Sequence, residues 1–215
     1  MNPYKKVLFP IHIFQAHIKE NEMIKKELCN AIEKYSDKNK EIPDGWLTDN
    51  LLTSYDSEEF NFDLFSKSEV TQRLYQKYIL RFFDKPTKVI VSDMWFNYYS
   101  NGEYQESHTH IQPNMFVQRS HFSCIHYLKF DPEVHQPTVF NDPLFMIRGT
   151  NSIELDSNNY NDKYEPQVRE GSIIMFPPYL EHYVPKSEST PGNPRITVAF
   201  NIVLTEYGED KLYGP

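Results

Sequence analysis

Two cysteines in 215 residues, Cys29 and Cys124, are too few and too far apart for a disulfide scaffold or a cysteine-based metal site. Their isolation points to reduced, buried thiols in an intracellular protein. No apolar run approaches membrane-spanning length, so no membrane segment is expected. The amino terminus carries Lys5 and Lys6 before an apolar stretch, but Pro10 and His12 interrupt it and no small-residue cleavage site follows. It reads as a first strand rather than a leader. Positive charge is also scarce: 22 basic against 30 acidic side chains give a net −8, which argues against a general polyanion binder and makes nucleic acid the less favoured partner, although a local basic groove stays open. Nothing repeats and no segment is of low complexity. The length suffices for one good core, and the expectation is a single domain over residues 1–215, acting in the cytoplasm.

What is present falls into two halves. From about Gln15 to Tyr35, Ile18, Ile24, Leu28, Ala31, Ile32 and Tyr35 recur near helical spacing among lysines and glutamates. Ser36 to Asn61 is polar, with Pro43-Asp44-Gly45 as a turn, and reads as a surface excursion. Ser66-Lys67-Ser68-Glu69 matches a capping box, after which Val70, Leu74, Tyr78 and Phe82 repeat every four residues up to Pro86 and predict a second helix. Strands then follow over Lys88–Tyr99, Glu103–His110 and Ser120–Phe130, with shorter ones around Val139, Phe145, Ile153, Ile173, Tyr183 and Ile196. Helical support over about 1–87, antiparallel strands over about 88–205 and a short tail at 206–215 predict an α+β chain whose second part is a sandwich or barrel.

The chemistry gathers in three places. His108-Thr109-His110 puts two imidazoles on one face if Tyr104 to His110 is extended, a face shared with Tyr104 and Glu106 and preceded by a turn at Gly102. Ser172 to Phe176 is a buried strand bounded by Gly171 and Pro177-Pro178, and it leads to His182. Arg195 to Leu204 alternates, with Arg195, Thr197, Ala199 and Asn201 on one face and Ile196, Val198, Phe200 and Ile202 on the other. A strand of that kind serves a polar pocket: the guanidinium fork matches a carboxylate, and the Thr197 hydroxyl reaches the same group. Imidazoles suit Fe, Zn, Cu or Ni, and a facial set with open positions is the arrangement of non-haem Fe(II).

These residues, in this order, resemble the 2-oxoglutarate and Fe(II)-dependent oxygenases, specifically an oxygenase family common in marine bacteria and phages. The resemblance covers roughly Val89 to Leu204. It rests on Trp95-Phe96-Asn97, His108-Thr109-His110 with Pro113 behind it, Phe140-Asn141-Asp142-Pro143, Gly171 to Pro177, His182, Arg195 and Phe200-Asn201. Tyr99-x-x-Gly102-x5-His108 is similar to prolyl 4-hydroxylases, and Ser123 to Leu128 to a strand of the oxygen-sensing prolyl hydroxylases. The resemblance implies a double-stranded β-helix, a cupin-like jelly roll with the metal at its mouth. It implies Fe(II) on His108, His110 and His182, with Arg195, Thr197, Tyr127, Tyr99 and Asn97 around 2-oxoglutarate. It further implies O2 as oxidant, decarboxylation of 2-oxoglutarate to succinate, and hydroxylation of a small-molecule or peptide substrate.

The second ligand of such sites is usually an acidic residue, and here it is His110; Glu106, Asp142 or a water is the alternative. Two other functions fit part of the pattern. A cupin-type enzyme without 2-oxoglutarate matches the histidine spacings, but the glutamate expected after His110 is missing and Tyr179 stands where its second motif has glycine. A non-enzymatic jelly-roll module would use a metal for stability alone.

Overall fold

The computed structural model describes residues 10–36, 43–48, 51–85, 87–111, 120–145 and 162–206. Ten strands, β1 Phe14–His17, β2 Leu52–Thr53, β3 Thr87–Tyr99, β4 Gln105–His108, β5 Phe122–Lys129, β6 Val139–Asn141, β7 Lys163–Tyr164, β8 Ser172–Phe176, β9 His182–Val184 and β10 Arg195–Glu206, form two sheets among the described residues. The larger runs β1-β8-β5-β10-β3-β2 and the smaller β4-β9-β6-β7. Every pairing is antiparallel. Three helices, α1 Asn21–Ser36, α2 Glu58–Ser66 and α3 Glu69–Ile79, complete the order.

Side-chain alternation explains the layering. Ile196, Val198, Phe200 and Ile202 of β10 join Ile173 and Met175 of β8 and Cys124 and Leu128 of β5 against Ile24, Leu28 and Ile32 of α1 and Leu74, Tyr75 and Tyr78 of α3. The opposite face of the same sheet offers Ile125, Tyr127, Ile174 and Phe176, which pack on Phe140 of β6 in the smaller sheet. One sheet therefore closes two cores, one toward the helices and one toward the second sheet. Gly171 carries the turn into β8 with φ +82°, and a Cβ there would come within 3.1 Å of the Ile18 carbonyl oxygen. Glycine is required at that turn.

Several sequence expectations need correction. Among the described residues the first strand is Phe14–His17, residues 1–9 of the expected strand lying outside them, and the helix assigned from Gln15 begins only at Asn21. The supposed surface excursion carries β2 and the first turn of the unanticipated α2, with Leu51, Thr53 and Ser54 buried, because β2 pairs with β3 at the edge of the larger sheet. Ser66 ends α2 rather than capping α3, and Ser68 at the cap position makes no side-chain capping bond. The Glu27 carboxylate of α1 does that work from across the helix layer, accepting from the N–H groups of Val70 and Thr71 at 3.0 and 2.8 Å and from Thr71 Oγ1 at 2.7 Å. α3 stops at Ile79 and tightens into a 3-10 turn, Leu80–Phe82. Phe145 is helical and not in a strand, its N–H bonded to the Asp142 carbonyl. The strand expected near Ile153, Pro113 and the tail beyond Glu206 lie outside the described residues.

Cys124 is buried and Cys29 half-buried; both are free, and burial pushes both thiols up, Cys29 to about 11. His126 faces the helices, its Nδ1 bonded to the Tyr75 hydroxyl at 2.9 Å, and burial lowers it to about 3 from the ordinary 6.5. No helix among the described residues is long and apolar enough to cross a membrane.

Glu27→Ala removes three acceptor contacts from the start of α3 and is expected to cost about 1 to 3 kcal/mol in urea unfolding, whereas Glu27→Gln recovers part of that. His126 generates a pH dependence. Between 6.5 and about 3 the unfolded chain holds a proton that folded His126 refuses, so stability falls as pH falls through that window. The loss due to His126 between pH 7 and pH 5 is about 2 kcal/mol. His126→Phe should lose that much less stability over the same interval, read from urea midpoints.

Candidate active site

β3, β10 and β5 lay out the floor in rows. Arg195 stands opposite Tyr99, Thr197 between Asn97 and Tyr127, Ala199 between Trp95 and Ile125, and Asn201 between Asp93 and Ser123. Residues paired across antiparallel strands share a face, so these rows look away from the helices. Ala199 is the smallest side chain in the pattern, and it leaves room between the polar rows.

The smaller sheet supplies two of the histidines. His108 closes β4, His182 opens β9, and the two are cross-strand partners. His110 follows two residues after His108 and is fixed by its N–H to the Pro178 carbonyl at 2.9 Å, in the loop that precedes His182. Ring centroids lie 4.3 Å apart for His108 and His182, 4.9 Å for His110 and His182, and 5.5 Å for His108 and His110. One nitrogen from each ring lies within 4.8 Å of the others. The expectation that Tyr104, Glu106, His108 and His110 share a face of one unbroken strand is corrected. β4 ends at His108, and a bulge sets the two residues between Gln105 and His108 against the one between their partners on β9. Gln105 thereby reaches the interior alongside His108, Glu106 lines an outer cavity, and Tyr104 reaches with its hydroxyl to the Leu47 carbonyl at 3.0 Å.

Each imidazole has one nitrogen already engaged. Nδ1 of His108 donates to the Glu106 carbonyl at 2.8 Å and Nδ1 of His182 to the Leu180 carbonyl at 2.9 Å. A carbonyl accepts and cannot donate, so both rings carry their proton on Nδ1 and leave the Nε2 lone pair bare. His110 Nδ1 lies 3.2 Å from Asn201 Oδ1, which also accepts from Ser123 Oγ at 2.7 Å, while Asn201 Nδ2 donates to Asp93 at 3.4 Å. Asp93 sets the Asn201 amide, and the amide sets His110 in the same tautomer. Burial lowers all three histidines, His110 to about 3 and His182 well below its usual value, so all are neutral at pH 7. Three neutral imidazoles with a nitrogen each within 4.8 Å of the others form a donor set that fits a first-row divalent metal. Asp142 and Glu106 are not part of this cluster among the described residues.

A second, inner cavity runs from His108, His110 and His182 to Arg195, Thr197, Asn97, Tyr99 and Thr138. Arg195 is fully buried. Its Nε donates to the Gln136 carbonyl at 3.2 Å and one terminal nitrogen to Thr138 Oγ1 at 3.3 Å, and the guanidinium carbon lies 4.5 Å from the Tyr99 ring centroid and 5.5 Å from that of Tyr127. Nη1 has no partner, and neither has the buried Oδ1 of Asn97. A buried cation with a free donor fits a carboxylate guest. Tyr127 stands behind the guanidinium, its hydroxyl accepting the Thr138 N–H at 3.1 Å, while Tyr99 bonds Gln105 at 3.2 Å and burial lifts its phenol to about 12. The structure thus brings His108, His110, His182, Arg195, Thr197, Asn97 and Tyr99 to one cavity, with Tyr127 against its rear wall. Gln105, Thr138 and Trp95 line the cavity too. Gln105 gave no signal in the sequence because the bulge that admits it is set by pairing. His135 bonds the Asp131 N–H and the Asn193 carbonyl, and His121 the Leu204 N–H, as structural residues.

Comparison with known proteins meets this geometry at the same residues. The model of a family described as "Putative 2OG-Fe(II) oxygenase" matches residues 93–201, from the Asp93 row through His182 and Arg195 to Asn201. No curated protein sequence matches the chain. Among solved structures, a prolyl-4-hydroxylase from Pseudomonas putida aligns with TM-score 0.50 at 10% identity, covering 92% of this chain and 94% of its own. The non-heme alpha ketoglutarate dependent epimerase SnoN from nogalamycin biosynthesis gives TM-score 0.56 at 9% identity, covering 91% and 78%. HygX from Streptomyces hygroscopicus, solved with nickel and 2-oxoglutarate bound, gives 0.51 at 11% identity, covering 89% and 82%. At such identities the likeness concerns the fold. The family match spans just over half of the chain and contains the three histidines and the buried arginine, and the chain accordingly belongs to the 2OG-Fe(II) oxygenases, which work with Fe(II), 2-oxoglutarate and O2.

Proposed function

We propose that the two sheets form a double-stranded β-helix within one oxygenase domain acting in the cytoplasm, and that the enzyme hydroxylates a C–H bond of a small-molecule or peptide substrate. His108, His110 and His182 hold Fe(II). Arg195 and Thr197 anchor the far carboxylate of 2-oxoglutarate, with Asn97 and Tyr99 along its length and Tyr127 keeping the guanidinium in place. The observation that carries this reading is the unpartnered, buried Nη1 of Arg195 in the same cavity as three bare imidazole nitrogens. A cupin without 2-oxoglutarate, or a module that uses a metal only for stability, has no use for that arginine.

Bound Fe(II), 2-oxoglutarate and O2 together supply the oxidising power, one oxygen atom entering the substrate C–H bond and the other the succinate that forms as CO2 leaves. The protein's part is positional. Three neutral ligands leave the full charge of the metal facing a doubly anionic cosubstrate. Arg195 binds the opposite end by charge and fork geometry, so the dicarboxylate has one orientation. Trp95, Ile125 and Val184 line the cavity between the two ends and keep water out.

Arg195→Ala is expected to weaken 2-oxoglutarate by about 2 to 4 kcal/mol while leaving metal affinity nearly unchanged, as measured by anaerobic titration of the metal-to-ligand charge-transfer band. Unchanged cosubstrate affinity would place the anchor elsewhere. His110→Ala should lower Fe(II) affinity more than about 100-fold, beyond the 10- to 100-fold typical of changes outside the ligand shell. A smaller loss, read by competition with a chelating dye, would make His110 a supporting residue and return the second ligand position to a carboxylate or water.

A further inference from the structure

The cavity on the outer side of the histidines carries a chemistry that the cosubstrate does not use. His108 and His110 line it, together with Trp46, Tyr55, Trp95 and Glu106. The rings touch in series, Trp46 to Tyr55 at 5.6 Å, Tyr55 to Trp95 at 5.2 Å and Trp95 to His110 at 5.2 Å between centroids. Half-exposed Tyr55 and buried Trp95 thus carry an aromatic wall from the surface to the histidines. Glu106 lines the same cavity. Its Oε1 accepts the Leu47 N–H at 3.1 Å, and its Oε2 is buried with no hydrogen-bond partner. A carboxylate oxygen withdrawn from water is costly to leave unpaired. The segment bearing Trp46 is fastened to β4 by Thr48 Oγ1 donating to the Tyr104 carbonyl at 2.7 Å and the Tyr104 hydroxyl donating to the Leu47 carbonyl at 3.0 Å. The cavity is therefore preformed.

Charge points the same way. Past Tyr55 and Trp95 the cavity adjoins a groove of about 890 Å³ that adds Asp56, Glu58 and Asp93. No lysine or arginine is among the described residues lining either space. We propose, resting on the oxygenase reading above, that the substrate presents an ammonium group, primary or methylated, which seats between the aromatic wall of Trp46, Tyr55 and Trp95 and the Glu106 carboxylate and so brings a nearby C–H bond to the metal. Ring faces attract the cation through their quadrupole, and Oε2 supplies the opposite charge. A group with neither positive charge nor a donor would leave Oε2 unpaired, a neutral donor would leave its charge uncompensated, and an anion would be repelled. A free amine and a lysine side chain of a polypeptide share this chemistry, and the groove is large enough for either.

Trp46 and Trp95 are the two tryptophans of the chain, so intrinsic fluorescence reports on this cavity directly. The full chain, with and without Fe(II) under anaerobic conditions, is titrated with choline, its neutral isostere 3,3-dimethylbutan-1-ol, and 3,3-dimethylbutanoate. Choline should bind saturably and at least about tenfold more tightly than either isostere, and Glu106→Gln, which keeps the acceptor for Leu47, should weaken it by about tenfold. Equal affinity for the neutral isostere, or choline binding untouched by Glu106→Gln, overturns the proposal. A second arm compares N-acetyl-lysine methylamide with a lysine-centred pentapeptide: tighter binding of the pentapeptide supports an ammonium group carried on polypeptide, equal binding one carried on a free amine, and no binding of either overturns the primary-ammonium form. The Fe(II) and 2-oxoglutarate charge-transfer band is recorded on the same samples. A band without cation selectivity sinks the ammonium proposal alone, and selectivity without a band sinks the cosubstrate assignment alone.

Discussion

Three Nδ1–H groups committed to oxygen acceptors are the constraint on which the site depends. Once the Glu106 carbonyl, the Leu180 carbonyl and the Asn201 amide oxygen have taken those protons, His108, His182 and His110 each have one nitrogen left, and it is unprotonated. An imidazole free to rotate or to swap tautomers would pay for ordering at the moment of binding. Here the fold has done this in advance, in two cases with backbone carbonyls that no side-chain substitution can remove. The third acceptor is different in kind, since it depends on the Asp93, Asn201 and Ser123 side chains, one from each of the three floor strands.

The same strands explain why a fully buried arginine is tolerated. β10 is paired on both sides over most of its length, so its backbone is rigid and its alternation is enforced. Residues on one side of it close the helix-facing core, while Arg195 and Thr197 are held on the other by the same pleat. Arg195 is only partly satisfied, by Gln136, Thr138 and two aromatic faces. Leaving a guanidinium nitrogen unpaired costs stability, and an anionic guest recovers that cost as affinity.

Much of this was legible in the sequence. The alternation of Arg195 to Ile202 correctly divides polar floor from apolar core, because a strand buried on both faces must show its two environments at period 2. The His-x-His pair, His182 and Arg195 meet in one cavity as their chemistry suggests. What was not legible depends on contacts distant in sequence. Leu51 to Ser54 look like loop residues and become buried only because β3 offers them an edge. The cap of α3 comes from Glu27, more than 40 residues earlier, where a local motif pointed to Ser66. The bulge in β4 that brings Gln105 inward has no sequence signature, since pairing with β9 creates it. Trp46 and Tyr55 lie in the polar stretch taken for a surface excursion, and their role at the cavity mouth appears only when that stretch is bonded to β4.

X-ray absorption of the anaerobic Fe(II) protein tests the central claim most directly. Three imidazoles on the metal predict the multiple-scattering signature of three histidine rings in the outer shells, with nitrogen at roughly the 2.0 to 2.2 Å typical of first-row divalent ligation, and loss of one ring in His110→Ala. Two rings and a carboxylate in the parent protein, with the same two rings in His110→Ala, would contradict the account.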